Sequence, residues 1–509
     1  MNNSRTKNAK RNIITGFINK IVMLLFPFAI RTVLIKKLGA EYLGLNSLFS
    51  SILQVLNLAE LGFGSAVVYS MYEPLAKNDT DTIRSLMKLY RKIYRIIGCI
   101  ILIVGFCLMP FLKCLIKGSY PSDINIYVVF FLHLINTSFT YFLFAYKSSI
   151  LIANQRSDIT NNVLTITSIM QYVLQIIVLY TTKNYYFYMI ANLATTALNN
   201  LIVNYYANKE FPQFYCSGEV NDKLKKDIKK KVTGLMINKV CQTTRNSLDS
   251  IFISAFLGLK IVAMYNNYYT IMDAVIGIMG IVGNSIMAGI GNSIVVETKE
   301  KNYKDLKKFN FIYMLFSGLA TVCMLNLYQP FMKLWLGEGM LLPFGVVVLF
   351  CIYFFSLKMG DIRAVYSDAN GLWWENRYRA IAESIANIVL NFILGKIWGI
   401  YGIIVATLIS LLIINFGYGS QILFKYYFTN VSVLDYFRQQ LWYAFVTAIA
   451  CIATYYLNSF IRIEGILGFL IKLIISVTIA LLIYFVFYSK NENYKEAKKF
   501  LKKLIVKEK

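Results

Sequence analysis

Apolar runs of roughly 20 residues recur from residue 12 to residue 488, separated by short charged or turn-rich segments. Each run is long enough to cross a hydrocarbon core about 30 Å thick. The runs do not alternate polar and apolar residues as the strands of a membrane barrel would. Because only helices and closed barrels satisfy the backbone in lipid, the pattern predicts an all-α polytopic membrane protein.

Charged and turn-rich breaks divide the chain into about fourteen predicted transmembrane helices. The predicted helices span residues 12–35, 43–72, 93–116, 125–147, 160–181, 184–207, 232–256, 262–293, 309–334, 342–366, 379–396, 399–424, 439–459 and 464–488. The first run contains Arg31 and lacks a small-residue cleavage site, so we expect it to remain as a membrane helix and not to act as a signal peptide.

The distribution of Lys and Arg predicts the topology. One side carries most of the cations: the N-terminus, the loop 77–95, Lys147 and Arg156, the linker 208–231, the segments 299–308, 363–379 and 425–438, and the tail from residue 490. This bias places both termini in the cytoplasm. The Lys, Asn, Ile and Tyr content is typical of an AT-rich genome, so we expect a multi-pass protein of a bacterial cytoplasmic membrane.

The net charge of +26 would indicate nucleic-acid binding in a soluble protein, but here the cations fix topology, and we expect no nucleic-acid partner. The eight cysteines are scattered and the chain has one histidine, so no metal site or cofactor is predicted. If the protein drives an energy-requiring process, we expect that process to be coupled to the movement of H⁺ or Na⁺.

Short segments repeat along the chain in order. TGFINK (15–20) matches TGLMINK (233–239), and three further pairs follow at offsets near 220. The further pairs are Leu38-Gly39 with Leu257-Gly258, Pro110 with Pro330, and Ala153-Asn154 with Ala369-Asn370. The repeat predicts two parallel six-helix lobes, because a copy with an even number of helices keeps its orientation in the membrane.

The repeat gives predicted boundaries for each part of the chain. These are an N-terminal lobe (1–208), a basic cytoplasmic linker (209–231), a C-terminal lobe (232–427), a C-terminal helix pair (438–488) and a basic cytoplasmic tail (489–509). Paired halves are typical of transporters that bind substrate between lobes and expose it alternately to each side.

Basic residues inside the apolar runs are the strongest residue-level signal. Lys20 and Arg31 share a face of the first helix, and Lys239 and Arg245 lie in the seventh. Facing lipid, the four would cost roughly 10 kcal/mol or more, so they predict a cationic substrate cavity. Two alternatives stay open: Lys20 snorkels to the surface, and Arg245 pairs with Asp249.

Other polar positions inside the runs suggest ion coupling or internal ion pairs. The candidates for ion coupling are Asp249, Glu60, Asp273 and His133. We expect Asp361 and Glu383 to pair with Arg363 or Arg379. The segment YNNYY (265–269) predicts either an interfacial aromatic belt or contacts with sugar.

Two phrases carry a family resemblance. LGAEYLGLNSLFSSIL (38–53) and ELGFGSA (60–66), with LGLKIVAMYNNYYTI (257–271), resemble bacterial polysaccharide flippases. These are the Wzx-type O-antigen, capsule and teichoic-acid transporters of the multidrug/oligosaccharidyl-lipid/polysaccharide exporter superfamily. The resemblance implies a V-shaped exporter fold and a lipid-linked anionic oligosaccharide as substrate, with basic residues of the first and seventh helices in the cavity.

The resulting prediction is a flippase, not an enzyme. It would move an undecaprenyl-(pyro)phosphate-linked oligosaccharide or polysaccharide precursor from the cytoplasmic to the outer leaflet by alternating access. Expected partners are this substrate, membrane lipids and other polysaccharide assembly proteins. The alternatives are a membrane-embedded polymerase or glycosyltransferase, which the short external loops disfavour, and a drug/cation antiporter of the same superfamily, which would favour an acidic cavity.

Overall fold

A computed structural model describes residues 2–57 and 63–505. Within these ranges every regular element is a helix. The helices of the first part of the chain are α1 (Asn2–Lys37), α2 (Ala40–Leu56), α3 (Phe63–Ala76), α4 (Thr80–Leu108), α5 (Ile126–Phe142), α6 (Ser148–Ala153), α7 (Ser157–Thr181), α8 (Tyr185–Glu210) and α9 (Asp222–Leu257). Short 3₁₀ helices at Met109–Leu115 and Ala145–Lys147 follow α4 and precede α6.

The remainder of the chain is built in the same way. Its helices are α10 (Leu259–Val296), α11 (Lys299–Leu336), α12 (Phe344–Met359), α13 (Asp361–Ala369), α14 (Arg377–Trp398), α15 (Ile400–Ile409), α16 (Gly419–Tyr426), α17 (Val433–Ser459), α18 (Gly465–Tyr488) and α19 (Glu492–Ile505). A 3₁₀ helix at Glu338–Met340 follows α11, and a π-helix at Ser410–Tyr418 joins α15 to α16.

Asparagine side chains fix where several membrane helices begin. Asn125 accepts a hydrogen bond from the backbone N–H of Tyr127 at the start of α5. Asn184 accepts from Tyr186 and Phe187 at the start of α8. These contacts satisfy N–H groups that the first helical turn leaves without partners.

The prediction of an all-α polytopic membrane protein is confirmed. Every predicted membrane segment falls largely on helical backbone, apart from residues 58–62, which lie outside the described part. In that part, nine helices are long and apolar enough to span a membrane, or ten if α5 and the bent segment Ala145–Ala153 form one span. The predicted number of fourteen is higher, partly because of the second predicted helix. In the structure this segment forms two helices, α2 and α3, and with 17 and 14 residues each is too short to be counted as a span.

The contacts divide the chain into a first unit, Met1–Ala263, and a second unit, Met264–Lys509. Helix α9 packs on α2 within the first unit. Gly44 permits close packing on the segment after α9, because a Cβ at Gly44 would lie 2.0 Å from the Leu259 carbonyl oxygen. The lobe boundaries read from the repeat stay a prediction.

Equivalent positions of the repeat adopt equivalent local structure. Gly39 follows α1 with φ 115°, and Gly258 follows α9 with φ 91°, a conformation that favours glycine. Asn154 and Asn370 each follow a short helix, and each side-chain amide donates to the carbonyl four residues earlier, at 2.8 and 2.7 Å. These shared details support a duplicated fold.

Candidate functional site

The first unit encloses a polar cavity of about 330 Å³. Helices α1, α2, α5, α7 and α8 form its walls. Its lining includes Arg31 and His133, and none of the described residues that line it is acidic. The cavity therefore has a positive charge in a region of the chain that is otherwise largely apolar.

Arg31 reaches the cavity from α1. Pro27 lies one turn earlier in the same helix and lines the cavity too. Proline has no N–H to complete the helical ladder, so its position frees a carbonyl and favours a bend. Thr32 donates to the Phe28 carbonyl at 2.7 Å, which satisfies a neighbouring backbone group.

Amide side chains form most of the polar lining. They are Asn46, Gln54, Asn57, Asn136, Gln171, Gln175 and Asn192. Each amide offers both donors and an acceptor, and none carries charge. Tyr172 and Tyr188 add aromatic faces to the same wall. Such a lining can hydrogen-bond to hydroxyl and phosphate oxygens while Arg31 supplies the charge.

Residues behind the cavity hold several of these amides in position. The Ser247 hydroxyl of α9 donates to Gln54 Oε1 at 2.9 Å. The Tyr185 hydroxyl donates to Asn46 Oδ1 at 3.4 Å, and the Tyr141 hydroxyl donates to Asn57 Oδ1 at the same distance. Because these bonds engage the amide oxygens, we expect the amide N–H groups to be the donors that a ligand meets.

Two polar atoms from α5 have no hydrogen-bond partner among the described residues. They are His133 Nε2 and Asn136 Oδ1, both buried, on residues that line the cavity. The His133 ring packs edge-to-face on Phe49 with the ring centroids 5.7 Å apart. Buried polar atoms are nearly always paired, so these two indicate a place where a polar ligand or water binds.

The predicted cationic residues occupy different places. Arg31 lines the cavity, whereas Lys20 lies three turns earlier on α1 at an exposed position and is not part of the lining. Lys239 and Arg245 lie on α9, but their side chains are outside the described part. The role predicted for all four residues in substrate binding stays a prediction.

The predicted ion-coupling residues are also separated. His133 lies in the cavity, and Asp249 is buried on α9, with 2% of its surface exposed. Asp273 is exposed on α10 of the second unit, and Glu60 is outside the described residues. Their coupling role stays a prediction, and His133 is the one of the four that lines the cavity among the described residues.

Sequence reasoning missed the amide lining, although the sequence holds a signal for it. On α2 the polar positions Asn46, Ser50 and Gln54 follow at intervals of four, and Gln171 and Gln175 do the same on α7. This spacing places the side chains on one helical face.

A second polar cluster lies in the second unit. Arg379 Nη1 donates to Glu383 Oε2 at 2.8 Å, and Asn415 of the π-helix donates to the same oxygen at 2.8 Å. Arg363 is buried and donates to Asn415 Oδ1 at 3.3 Å. The predicted pairing of Glu383 with Arg379 is confirmed, while Asp361 pairs with Lys358 at 2.7 Å.

No protein-family model and no curated protein sequence matches the chain. Solved structures do resemble it. The lipid II flippase MurJ in an inward closed conformation is 17% identical with a TM-score of 0.68, covering 94% of this chain and 98% of that one. An inward-facing multidrug-resistance transporter of the MATE family, in the MOP superfamily, is 14% identical with a TM-score of 0.59, covering 81% and 97%. A point mutant of the Vibrio cholerae MATE transporter VcmN is 17% identical with a TM-score of 0.56, covering 86% and 100%.

These likenesses define the class of protein: a multi-pass membrane protein with a transporter fold. More particularly, the chain shares the fold of the lipid II flippase MurJ and of the MATE transporters.

Proposed function

We propose that this protein is a flippase for an undecaprenyl-(pyro)phosphate-linked oligosaccharide or polysaccharide precursor. It carries the precursor from the cytoplasmic to the outer leaflet by alternating access. The observation that supports this proposal best is the composition of the cavity in the first unit, where Arg31 is surrounded by amide and tyrosine side chains.

The charge of the cavity favours an anionic substrate. A phosphate or pyrophosphate group can accept charge-assisted hydrogen bonds from the Arg31 guanidinium, which are the strongest kind in proteins. An antiporter for organic cations needs acidic groups where its substrate binds, and none of the described lining residues is acidic. The cavity therefore supports the flippase over the antiporter.

The neutral lining favours a sugar next to the phosphate. Amide side chains match hydroxyl groups in both donor and acceptor capacity, and the rings of Tyr172 and Tyr188 offer flat apolar faces. A volume of about 330 Å³ is at the small end of ligand pockets. It suits the phosphate and the adjoining sugar and not a whole oligosaccharide, so one carrier could accept different chains on a common anchor.

The experiment is deletion of the gene, followed by analysis of lipid-linked saccharides in each leaflet. We expect precursors to accumulate on the cytoplasmic face of the deletion strain. Reintroducing the wild-type gene should abolish this accumulation. The Arg31→Ala variant should insert normally into the membrane but should not abolish the accumulation of precursors. Lys36→Ala is the matched control, since Lys36 is an exposed cation on the same helix outside the cavity. Absence of cytoplasmic accumulation after deletion would refute the proposed function.

A further inference from the structure

The second unit contains a larger cleft, formed in part by the two helices that lie outside the sequence repeat. Helices α11, α12, α17 and α18 enclose about 710 Å³, and α17 and α18 are the pair beyond the repeat. The cleft is amphiphilic: apolar side chains form its flanks, and charged and amide side chains form its rim and floor.

The rim carries a shared ion pair. Lys333 Nζ lies 3.0 Å from Glu338 Oε1 and 3.0 Å from Glu464 Oε1. One ammonium therefore faces two carboxylates, and this cluster of three side chains has a net negative charge. Lys333 and Glu464 both line the cleft.

A further cation lies deeper. Lys472 lines the same cleft seven residues after Gly465, where α18 begins, which places it about 10 Å further along the helix axis. Lys472 has no acidic side chain within salt-bridge distance among the residues that the structure describes. A cation in a membrane helix is costly without a partner, so this position indicates an anionic ligand.

The floor is polar as well. Asn458 is 5% exposed, and its amide N–H groups donate to Asn326 Oδ1 and Ser476 Oγ, each at 2.9 Å. Within the described part of the chain, Asn458 Oδ1 has no hydrogen-bond partner. A bound water molecule can donate to this acceptor, so the floor is a polar surface beneath the head group of a ligand.

The flank offers a path for acyl chains. Leu334, Phe344, Tyr455 and Ile463 line the cleft and remain exposed. In a membrane protein such an apolar side wall faces the hydrocarbon of the bilayer. A ligand can therefore keep its head group in the cleft while its chains stay in lipid.

We propose that this cleft binds one zwitterionic, amine-bearing phospholipid of the phosphatidylethanolamine type, with its phosphate at Lys472 and its ammonium at Glu464. The order of charges supports this orientation, because the ammonium of such a lipid extends beyond its phosphate towards water. By the topology predicted from Lys and Arg, this end of the unit faces the outer leaflet. The proposal is independent of which substrate the protein transports.

The test is native mass spectrometry of the full-length protein, delipidated and then titrated with phosphatidylethanolamine, phosphatidylglycerol or phosphatidylcholine. We expect one phosphatidylethanolamine bound per chain and weaker binding of the other two lipids. Phosphatidylglycerol has no ammonium, and the trimethylated ammonium of phosphatidylcholine cannot donate a hydrogen bond. Lys472→Gln should reduce phosphatidylethanolamine binding about tenfold or more, as expected for loss of a charge-assisted hydrogen bond.

Three further variants make the test specific. Lys472→Arg should restore binding, since it keeps the cation. Glu464→Gln should weaken the preference for phosphatidylethanolamine over phosphatidylglycerol. Lys396→Gln is the control, because Lys396 is an exposed cation in the last turn of α14 outside the cleft. Unchanged phosphatidylethanolamine binding in a monodisperse Lys472→Gln variant, or equal binding of all three lipids by the wild type, would overturn the proposal.

Discussion

The Ser247 hydroxyl donates a 2.9 Å hydrogen bond to Gln54 Oε1, joining residues 193 positions apart. Ser247 is 1% exposed on α9, and Gln54 lines the polar cavity from α2. The bond engages the Gln54 amide oxygen and so holds the side-chain amide in one orientation at the cavity wall. A helix that the repeat assigns to the second half thus helps to shape the site of the first unit.

Ser247→Ala should reduce transport with little loss of folded protein. The change removes the donor that orients Gln54, and a neutral hydrogen bond contributes only about 1 kcal/mol to stability. We expect the apparent KM for the lipid-linked substrate to rise several-fold while kcat is preserved. Reconstituted proteoliposomes with a fluorescent lipid-linked saccharide provide the measurement, and Ser247→Thr, which keeps the hydroxyl, is the control. An unchanged KM in Ser247→Ala would contradict this role of Gln54.

Arg31→Lys should transport less well than the wild type but better than Arg31→Ala. Lysine keeps the charge and loses the planar fork that binds two phosphate oxygens at once. A charge-assisted hydrogen bond contributes about 1.5–3 kcal/mol, so we expect KM to rise about tenfold in the lysine variant and further in the alanine variant. Transport by both variants at the wild-type rate would show that charge and geometry at this position do not matter.

His133→Phe separates stability from function. The ring of His133 is buried against Phe49, and its Nε2 atom lacks a partner among the described residues. Phenylalanine fills similar space without a buried polar atom, so the free energy of unfolding should stay equal or rise by about 1 kcal/mol. Transport should fall, because the cavity loses a polar contact. A variant that is destabilised and fully active would contradict the assignment of His133 to the site.

Asp79 gives a local pH dependence at the start of α4. Its carboxylate accepts a 3.0 Å hydrogen bond from the Thr82 N–H, and the bonds to Thr82 hold the pKa of Asp79 below its usual value. Because the pKa of Asp79 is lower in the folded state, its cap stabilises the helix fully at pH values above the unfolded-state pKa of about 3.9. This stabilisation is lost as the pH falls through the folded-state pKa.

Hydrogen exchange at the first turn of α4 measures this effect. Protection relative to intrinsic exchange should fall below about pH 4 in the wild type. Asp79→Asn keeps a capping oxygen that does not titrate, so its protection should stay nearly constant over the same range. Identical acid profiles for the two proteins would exclude titration of Asp79 as the cause.

The helices could be predicted because long apolar runs leave few alternatives in lipid. The repeat could also be detected from the sequence, because equivalent positions need the same residue type. Gly39 and Gly258 both have positive φ values, a backbone conformation that favours glycine. Side-chain direction was harder to predict. Tyr265 and Tyr268 suited either a membrane interface or a sugar site, and they instead pack against Phe350 inside the second unit.

The candidate site was only partly predictable for a similar reason. Arg31 stands out in an apolar run, but an asparagine or glutamine in such a run gives no direct indication of what it faces. Asn136 and Asn192 come together only when α5 and α8 pack around one space. Asp361 was predicted to pair with Arg363 or Arg379, but it instead forms a local ion pair with Lys358, three residues earlier.

Glu383 and Arg379 form a buried pair whose disruption should be costly. Their side chains are 4% and 12% exposed, and Asn415 and Arg363 complete the cluster. Glu383→Gln leaves Arg379 without its carboxylate beside the buried Arg363, so we expect a loss of about 3–5 kcal/mol in stability.

The measurement is thermal unfolding in detergent, with Lys77→Gln as control, because the Lys77–Glu73 pair has the same i,i+4 spacing and is exposed. The double variant Glu383→Leu/Arg379→Met should recover much of the loss, since an apolar pair of similar volume needs no charged partner. Equal stability of Glu383→Gln and the wild type would mean that the pair does not stabilise the second unit.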